Sequence, residues 1–141
     1  MSQRLSSEMV HATTVAKDGR GVVIAGRSGS GKSDLALRLI DRGFVLVSDD
    51  QTIIGKSGAG LVAWAPETIR GKIEVRGVGI LTMAFADSAA VSLWVELTSD
   101  IKRLPEDEKH MFLGVEVPAL SLDALTASAP LKVELALGKI A

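Results

Sequence analysis

The stretch that decides the fold is residues 22–50, VVIAGRSGSGKSDLALRLIDRGFVLVSDD, in which two apolar runs flank a glycine-rich segment and a helical pattern. The first run, Val22 to Ala25, is typical of a buried strand. From Ser33 to Arg42 the apolar residues recur at helical spacing, and Gly43 supplies a helix stop. Phe44 to Val47 is the second apolar run. The stretch therefore predicts a strand, a glycine loop, a helix and another strand.

The glycine-rich segment, Gly26 to Ser33, matches the pattern G-x-x-x-x-G-K-[ST]. Its glycines allow backbone N–H groups to turn toward phosphate oxygens, and the helix that follows points its positive dipole end at the same anion. Lys32 adds a charge for the β and γ phosphates, and the Ser33 hydroxyl suits Mg²⁺. The alternative is a glycine turn without a ligand. We predict a nucleotide-binding loop formed by Gly26, Arg27, Ser28, Gly29, Ser30, Gly31, Lys32 and Ser33.

Two acidic residues, Asp49 and Asp50, follow the second apolar run, which we expect to lie on the strand adjacent to the phosphate loop. Because side chains alternate along a strand, the two carboxylates are expected to point in opposite directions. One carboxylate could hold a metal while the other accepts a proton from an acceptor hydroxyl. The alternative is a polar strand end or Asx-turn. We predict phosphoryl transfer that uses Asp50.

The rest of the chain is rich in predicted strands, with Gly and Pro between most of them. Further strands are predicted at Glu8 to Ala16, Gln51 to Lys56, Leu61 to Ala65, Lys72 to Arg76, Gly79 to Met83, Ala90 to Leu97 and Leu131 to Leu137. Short helices are predicted at Pro105 to His110 and Leu122 to Ser128, and His110 is expected to be exposed. We expect a single α/β P-loop domain over residues 1–141, with a β-rich mixed sheet and one prominent helix after the phosphate loop.

The composition excludes several classes of protein. The 16 basic and 17 acidic residues are dispersed and give a net charge of −1, which argues against a nucleic-acid partner. No apolar stretch approaches the length of a membrane span. The chain has no cysteine, which excludes disulfides and thiolate nucleophiles. We expect a cytoplasmic protein.

Three segments together resemble the catalytic domain of HPr kinase/phosphorylase, a bacterial regulator that phosphorylates a serine on the phosphocarrier HPr: GRSGSGKSDLALRLIDRGFVLVSDD, APETIRGKIEVRGVGIL and LPEDEKHMFLGVEVPALSL. The resemblance spans about His11 to Leu122. It implies a P-loop fold of the PEP carboxykinase-like type, ATP or pyrophosphate as donor, Mg²⁺, and an HPr-type protein as partner. It also implies a homo-hexamer and a regulatory role in phosphotransferase-system-linked metabolism.

The resemblance also implies roles for single residues. Lys32 corresponds to the phosphate-binding lysine. Asp50 corresponds to the acid/base residue that accepts the serine proton and returns it in the reverse reaction, and Asp49 assists it. His11 falls at the position of a histidine that relays protons. Without the resemblance, His11 is most simply a surface histidine on a strand.

Metal and signature residues follow in the same way. Ser33 and Glu74 correspond to the Mg²⁺ ligands, and Arg76 belongs to the signature segment that both reaction directions use. Without the resemblance, Glu74 and Arg76 are a pair on one face of a strand, whose alternative interpretation is a solvated or salt-bridged surface pair.

The sequence departs from the family pattern in three places. Little precedes His11, so we expect the form without the long N-terminal domain. The segment Ser121 to Leu131, SLDALTASAPL, lacks the Pro-Gly-Arg-Asn type sequence and its catalytic arginine, and we expect the C-terminal helices to be missing. A small-molecule kinase and a nucleotide-binding regulatory module without catalysis therefore stay open as alternatives.

Overall fold

The structure is a computed structural model that describes residues 6–100 and 108–140. In chain order, its strands are β1 (Ser7–Val10), β2 (Ala12–Lys17), β3 (Arg20–Ala25), β4 (Val45–Ser48), β5 (Thr52–Ser57), β6 (Gly60–Trp64), β7 (Lys72–Val75), β8 (Gly79–Thr82), β9 (Ala89–Leu97), β10 (Glu108–Phe112) and β11 (Val115–Leu122). Its helices are α1 (Lys32–Asp41) and α2 (Ala129–Gly138), with a short 3₁₀ turn at Glu67–Ile69. Within these residues, neither helix is long and apolar enough to cross a membrane.

Most strands form one mixed sheet in the order β1-β5-β6-β9-β3-β2-β4. The first residues of β9 pair with β6, and its last residues pair in parallel with β11, to which β10 adds in turn. Strands β3 and β9 are parallel, and β4 runs in the same direction because both β3 and β4 are antiparallel to β2. The carboxyl ends of β3, β4, β9 and β11 therefore lie at one edge of the sheet, where the loops that follow them can meet. The hairpin β7–β8 forms a separate two-stranded sheet.

The strand order corrects one expectation about the acidic pair. β4, which precedes Asp49, does not neighbour β3, because β2 lies between the two strands. The cause is local: Asp18 and Gly19 have φ values of 53° and 76°, as a tight Asp-Gly hairpin turn requires, and this turn folds β2 back against β3. The carboxylate of Asp49 must therefore reach across the start of β2 to meet the phosphate loop.

One hydrophobic core lies between the sheet and the two helices. The apolar stripe of α1 is fully buried at Leu35, Ala36 and Leu39, as its spacing predicted. From α2, Val133 and Leu137 join the same core, one helical turn apart. Both helices are thus fixed to one face of the sheet, with the amino terminus of α1 at the edge where the loops meet.

A second core covers the opposite face of the sheet. Val23, Ile54, Trp94 and Val117 meet there, because the outer strands curl over the centre of the sheet. His110 is half-buried, and its ring stacks on Trp94 with 3.9 Å between ring centroids. The expectation that His110 is exposed was therefore wrong.

Several predicted elements differ in the structure. Leu131 to Leu137 belongs to α2 and not to a strand. Of the predicted helix from Leu122 to Ser128, Leu122 ends β11 and the remainder is non-helical. The predicted strand from Glu8 to Ala16 is broken at His11. Of the predicted helix at Pro105 to His110, residues 105–107 lie outside the described residues and the remainder belongs to β10. In addition, β11 was not predicted, and α2 begins at Ala129, within the Ser121 to Leu131 segment.

Candidate active site

A cleft of about 490 Å³ lies above the start of α1. The phosphate loop lines it from Ser28 to Ser33, the acidic pair lines it from the end of β4, and the hairpin β7–β8 contributes Glu74 and Arg76. Three segments that are far apart in the sequence therefore meet in one cavity. We call this cavity the first compartment.

The phosphate loop has the backbone conformation that its glycines allow. Gly29 and Gly31 have φ values of 81° and 98°, a region that other residues seldom adopt. Gly31 is also the N-cap of α1, and it has no side chain that could accept a hydrogen bond from the first N–H groups of the helix. Those donors, together with the positive end of the helix dipole, are arranged to bind an anion in the first compartment.

Lys32 is buried at the base of the loop. Its Nζ donates to the carbonyl oxygens of Gly26 and Arg27, at 3.0 Å in both cases. An ammonium group has three donors, so the same lysine can hold the loop in shape and still donate to a phosphate oxygen.

Asp49 is the structural centre of the site. It is only 8% exposed, and its Oδ1 accepts hydrogen bonds from the Ser33 hydroxyl at 2.5 Å and from the Thr13 hydroxyl at 3.1 Å. Its Oδ2 accepts a hydrogen bond from the backbone N–H of Glu74 at 3.0 Å. A single buried carboxylate therefore ties together the phosphate loop, β2 and β7, which explains how the site closes although β4 does not neighbour β3.

Asp50 has a different environment from its neighbour. It is exposed, lines the first compartment and adopts a left-handed backbone conformation with φ of 65°, which Asp tolerates better than most residues. Its backbone N–H donates to the Thr13 hydroxyl at 3.0 Å. The two acidic residues thus differ in burial, and Thr13 is hydrogen-bonded to both of them.

Arg76 and His11 lie differently from the sequence interpretation. Strand β7 ends at Val75, so Arg76 lies in the hairpin turn and does not share a strand face with Glu74. Glu74 and Arg76 are both exposed, and both line the first compartment. His11 is exposed at the bend between β1 and β2 and is not among the residues that line the compartment.

Comparison with known proteins identifies the family. A family model described as "HPr Serine kinase C-terminal domain" matches residues 3–129. The chain belongs to that family. An HPr kinase/phosphorylase from Caldanaerobacter subterraneus subsp. tengcongensis is 36% identical over 137 residues, and the match covers 86% of this chain and 45% of that protein. An HPr kinase/phosphorylase from Caldicellulosiruptor bescii is 39% identical over 124 residues, which covers 78% of this chain and 40% of that protein.

A solved structure supports the same assignment. The Hpr(Ser) kinase/phosphatase from Coxiella burnetii has a TM-score of 0.82 and 28% identity, and the match covers 94% of this chain and 95% of that chain. The predicted fold class is confirmed. The chain spans less than half the length of the two HPr kinase/phosphorylases above.

The oxygen atoms at the cleft fit Mg²⁺. Within residues 6–100 and 108–140, no group of three or more His, Asp or Glu side chains is arranged to hold a metal ion alone. Mg²⁺ seldom needs such a cage, because it usually combines one or two carboxylates with water and substrate phosphates. The Ser33 hydroxyl, the Asp49 carboxylate and the Glu74 carboxylate are hard oxygen donors at the same cleft.

Sequence reasoning missed the residues that support this site. Thr13 and Thr52 are fully buried on strands. Threonine is β-branched like valine and isoleucine, so it fits a strand pattern equally well and its hydroxyl does not stand out. Thr52 donates to the carbonyl of Ala12 at 2.8 Å, and its hydroxyl lies 3.0 Å from that of Thr14. The only signal was a polar residue at a position expected to be buried, which requires a hydrogen-bond partner.

Proposed function

We propose that this chain is the catalytic domain of a kinase that transfers the γ-phosphoryl group of ATP to a serine hydroxyl of an HPr-type phosphocarrier protein. The observation that carries the proposal is the placement of Asp50. Asp50 is exposed and lines the same cleft as the phosphate loop, whereas the neighbouring Asp49 is buried and accepts hydrogen bonds from Ser33, Thr13 and the backbone of Glu74. Family membership and the relatives' names support HPr as the acceptor.

The phosphate loop would hold the donor. Backbone N–H groups at the start of α1 and the ammonium group of Lys32 are the donors for the phosphate oxygens. Phosphoryl transfer depends mainly on positioning and on neutralising charge, so a preformed anion site supplies much of what the reaction needs.

Ser33, Asp49 and Glu74 would hold Mg²⁺. Because the Ser33 hydroxyl donates its proton to Asp49, its lone pairs are directed away from that carboxylate and are available to a cation. Bound there, Mg²⁺ would supply positive charge that neutralises the phosphate groups.

Asp50 is the proposed general base. The serine oxygen forms a bond to the γ-phosphorus, the bond from that phosphorus to the bridging oxygen breaks, and the serine proton moves to the Asp50 carboxylate. Thr13 accepts the backbone N–H of Asp50, whose backbone is left-handed, and would so hold the carboxylate in position at the cleft. Arg76 lines the cleft at the hairpin turn and would contact the transferred phosphoryl group or the carrier.

Four predictions rest on the resemblance alone: proton relay by His11, reversal of the reaction with phosphate, pyrophosphate as donor and hexamer formation. A cytoplasmic location rests on the composition. All of these stay predictions.

One assay tests the proposal. Purified chain is incubated with Mg²⁺, ATP labelled at the γ-phosphate and the HPr-type protein of the same organism, beside the Asp50→Asn variant. We expect label on a serine of the carrier, and we expect the variant to bind ATP normally and to transfer no label. In a parallel incubation that also contains a small-molecule extract of the same organism, label on a metabolite and not on the carrier would instead favour a small-molecule kinase. ATP binding without any transfer would favour a regulatory module.

A further inference from the structure

A second cavity lies on the other side of the phosphate loop. Its volume is about 610 Å³, and its walls come from the phosphate loop at Arg27, from the end of β9 at Glu96 and Thr98, and from Asp123 after β11. We call it the second compartment. Four residues line both compartments, so the cleft continues across the phosphate loop: Gly29, Ser30, Ala124 and Leu125.

The two compartments differ in the chemistry that they offer. The first contains the start of α1, Lys32 and the acidic pair, which are the groups that handle phosphate and its transfer. The second has one guanidinium, from Arg27, and two carboxylates, from Glu96 and Asp123. Carboxylates accept hydrogen bonds from hydroxyl and amino groups, and acidic residues hold ribose hydroxyls in this way in dinucleotide-binding domains.

An exposed leucine stands where the compartments join. Leu125 is 90% exposed, although it lines both cavities. Its turn is fixed to α1, because Arg38 donates to the carbonyl oxygens of Ala124 and, at 3.3 Å, of Thr126. The Asp123 Oδ1 accepts the backbone N–H of Leu125 at 2.9 Å. Because Leu125 lines both cavities, its apolar side chain is available to contact a ligand that extends from one to the other.

From these observations we infer that the second compartment is the nucleoside subsite, with the base of the nucleotide packed against Leu125 and the ribose hydroxyls donating to Asp123 or Glu96. The inference rests on the proposed function, because that function decides which end of the nucleotide lies in which compartment. If Asp50 in the first compartment marks the transfer end, the phosphate chain crosses the loop and the nucleoside lies on the other side. In parallel-stranded sheets ligands commonly bind outside the carboxyl ends of the strands, and β3, β9 and β11 all end here.

The test compares a nucleotide with its bare phosphate chain. Binding of Mg²⁺–ATP and of Mg²⁺–tripolyphosphate to the whole chain is measured by calorimetry for the wild type, Leu125→Ser and Leu135→Ser. Leu135 is a matched control, because it is also exposed, at 61%, but lies on α2 and lines neither compartment. Since burying much of a leucine side chain is worth roughly a tenfold change in affinity, we expect Leu125→Ser to weaken ATP by about tenfold. We expect tripolyphosphate binding to be unchanged in all three proteins.

The outcomes separate the two proposals. If the wild type binds ATP and tripolyphosphate equally well, or if Leu125→Ser weakens both ligands to the same extent, the nucleoside subsite is wrong while the phosphate loop stands. If ATP binding is unaffected by Leu125→Ser, the subsite is also wrong. If the wild type binds neither ligand, the proposed function itself fails and the subsite fails with it.

Discussion

Removal of one buried hydroxyl should loosen the whole site, and Thr13→Val is the change that tests it. Thr13 is fully buried on β2, donates to the Asp49 carboxylate at 3.1 Å and accepts the backbone N–H of Asp50 at 3.0 Å. Valine has nearly the same shape but neither hydrogen-bonding function. The substitution therefore deletes two hydrogen bonds while leaving the packing of the sheet almost as it was.

The magnitude follows from the partners. A hydrogen bond to a charged group contributes about 1.5–3 kcal/mol, and an N–H left without a partner away from water costs about 1–3 kcal/mol. Because neighbouring contributions do not add fully, we expect a loss of about 3 kcal/mol in the free energy of unfolding. With a urea m-value of about 2 kcal/mol/M, the unfolding midpoint should fall by about 1.5 M.

Urea unfolding followed by circular dichroism measures this loss, with Thr13→Ser as the matched control. Serine keeps the hydroxyl and loses one methyl group, so it should retain most of the stability that valine loses. An unfolding free energy for Thr13→Val within about 0.5 kcal/mol of the wild type would refute the reasoning. A serine variant as unstable as the valine variant would also refute it, because the loss would then come from packing and not from the hydroxyl.

Three further predictions concern stability and binding. Asp49→Asn should destabilise the chain by about 2–4 kcal/mol in urea unfolding, because an amide cannot accept hydrogen bonds from all three donors. Asp50 is exposed, so Asp50→Asn should stay within about 0.5 kcal/mol of the wild type. Equal losses in the two variants would contradict the difference in environment between the two acids. Gly31→Ala should lower ATP affinity and the melting temperature more than Gly19→Ala does. Both glycines have a positive φ, but only at Gly31 would an added Cβ meet another side chain, that of Ala124 at 3.2 Å. If the two variants were indistinguishable, the contact with Ala124 would be unimportant. Leu39→Ala should lower the free energy of unfolding by about 2–5 kcal/mol in the same assay, because Leu39 is fully buried. Leu135→Ala, at an exposed position, should lower it by less than about 0.5 kcal/mol. A small effect at Leu39 would mean that α1 is not anchored as described.

The α2 segment shows where pattern reasoning went wrong. Leu131, Val133, Leu135 and Leu137 alternate with less apolar residues, which is the period of a strand. Of these four residues, Val133 and Leu137 are buried in the helix, while Leu131 and Leu135 face solvent. The signal for a helix was present in Pro130, which falls at the first helical positions, but the alternation outweighed it in the interpretation. Only packing against the sheet decides which of the four apolar residues are buried.

The sequence by itself determined the phosphate loop, α1 and the presence of an acidic pair, because each depends on residues that are neighbours in the chain. Glycines set local backbone angles, and a helical stripe needs only its own spacing. Tertiary structure alone decided that β2 separates β3 from β4, that Asp49 is buried while Asp50 is exposed, and that Leu125 stands between two cavities. These features depend on contacts between residues far apart in sequence, such as Thr13 with Asp49 and Arg38 with Ala124, and no local pattern specifies such contacts.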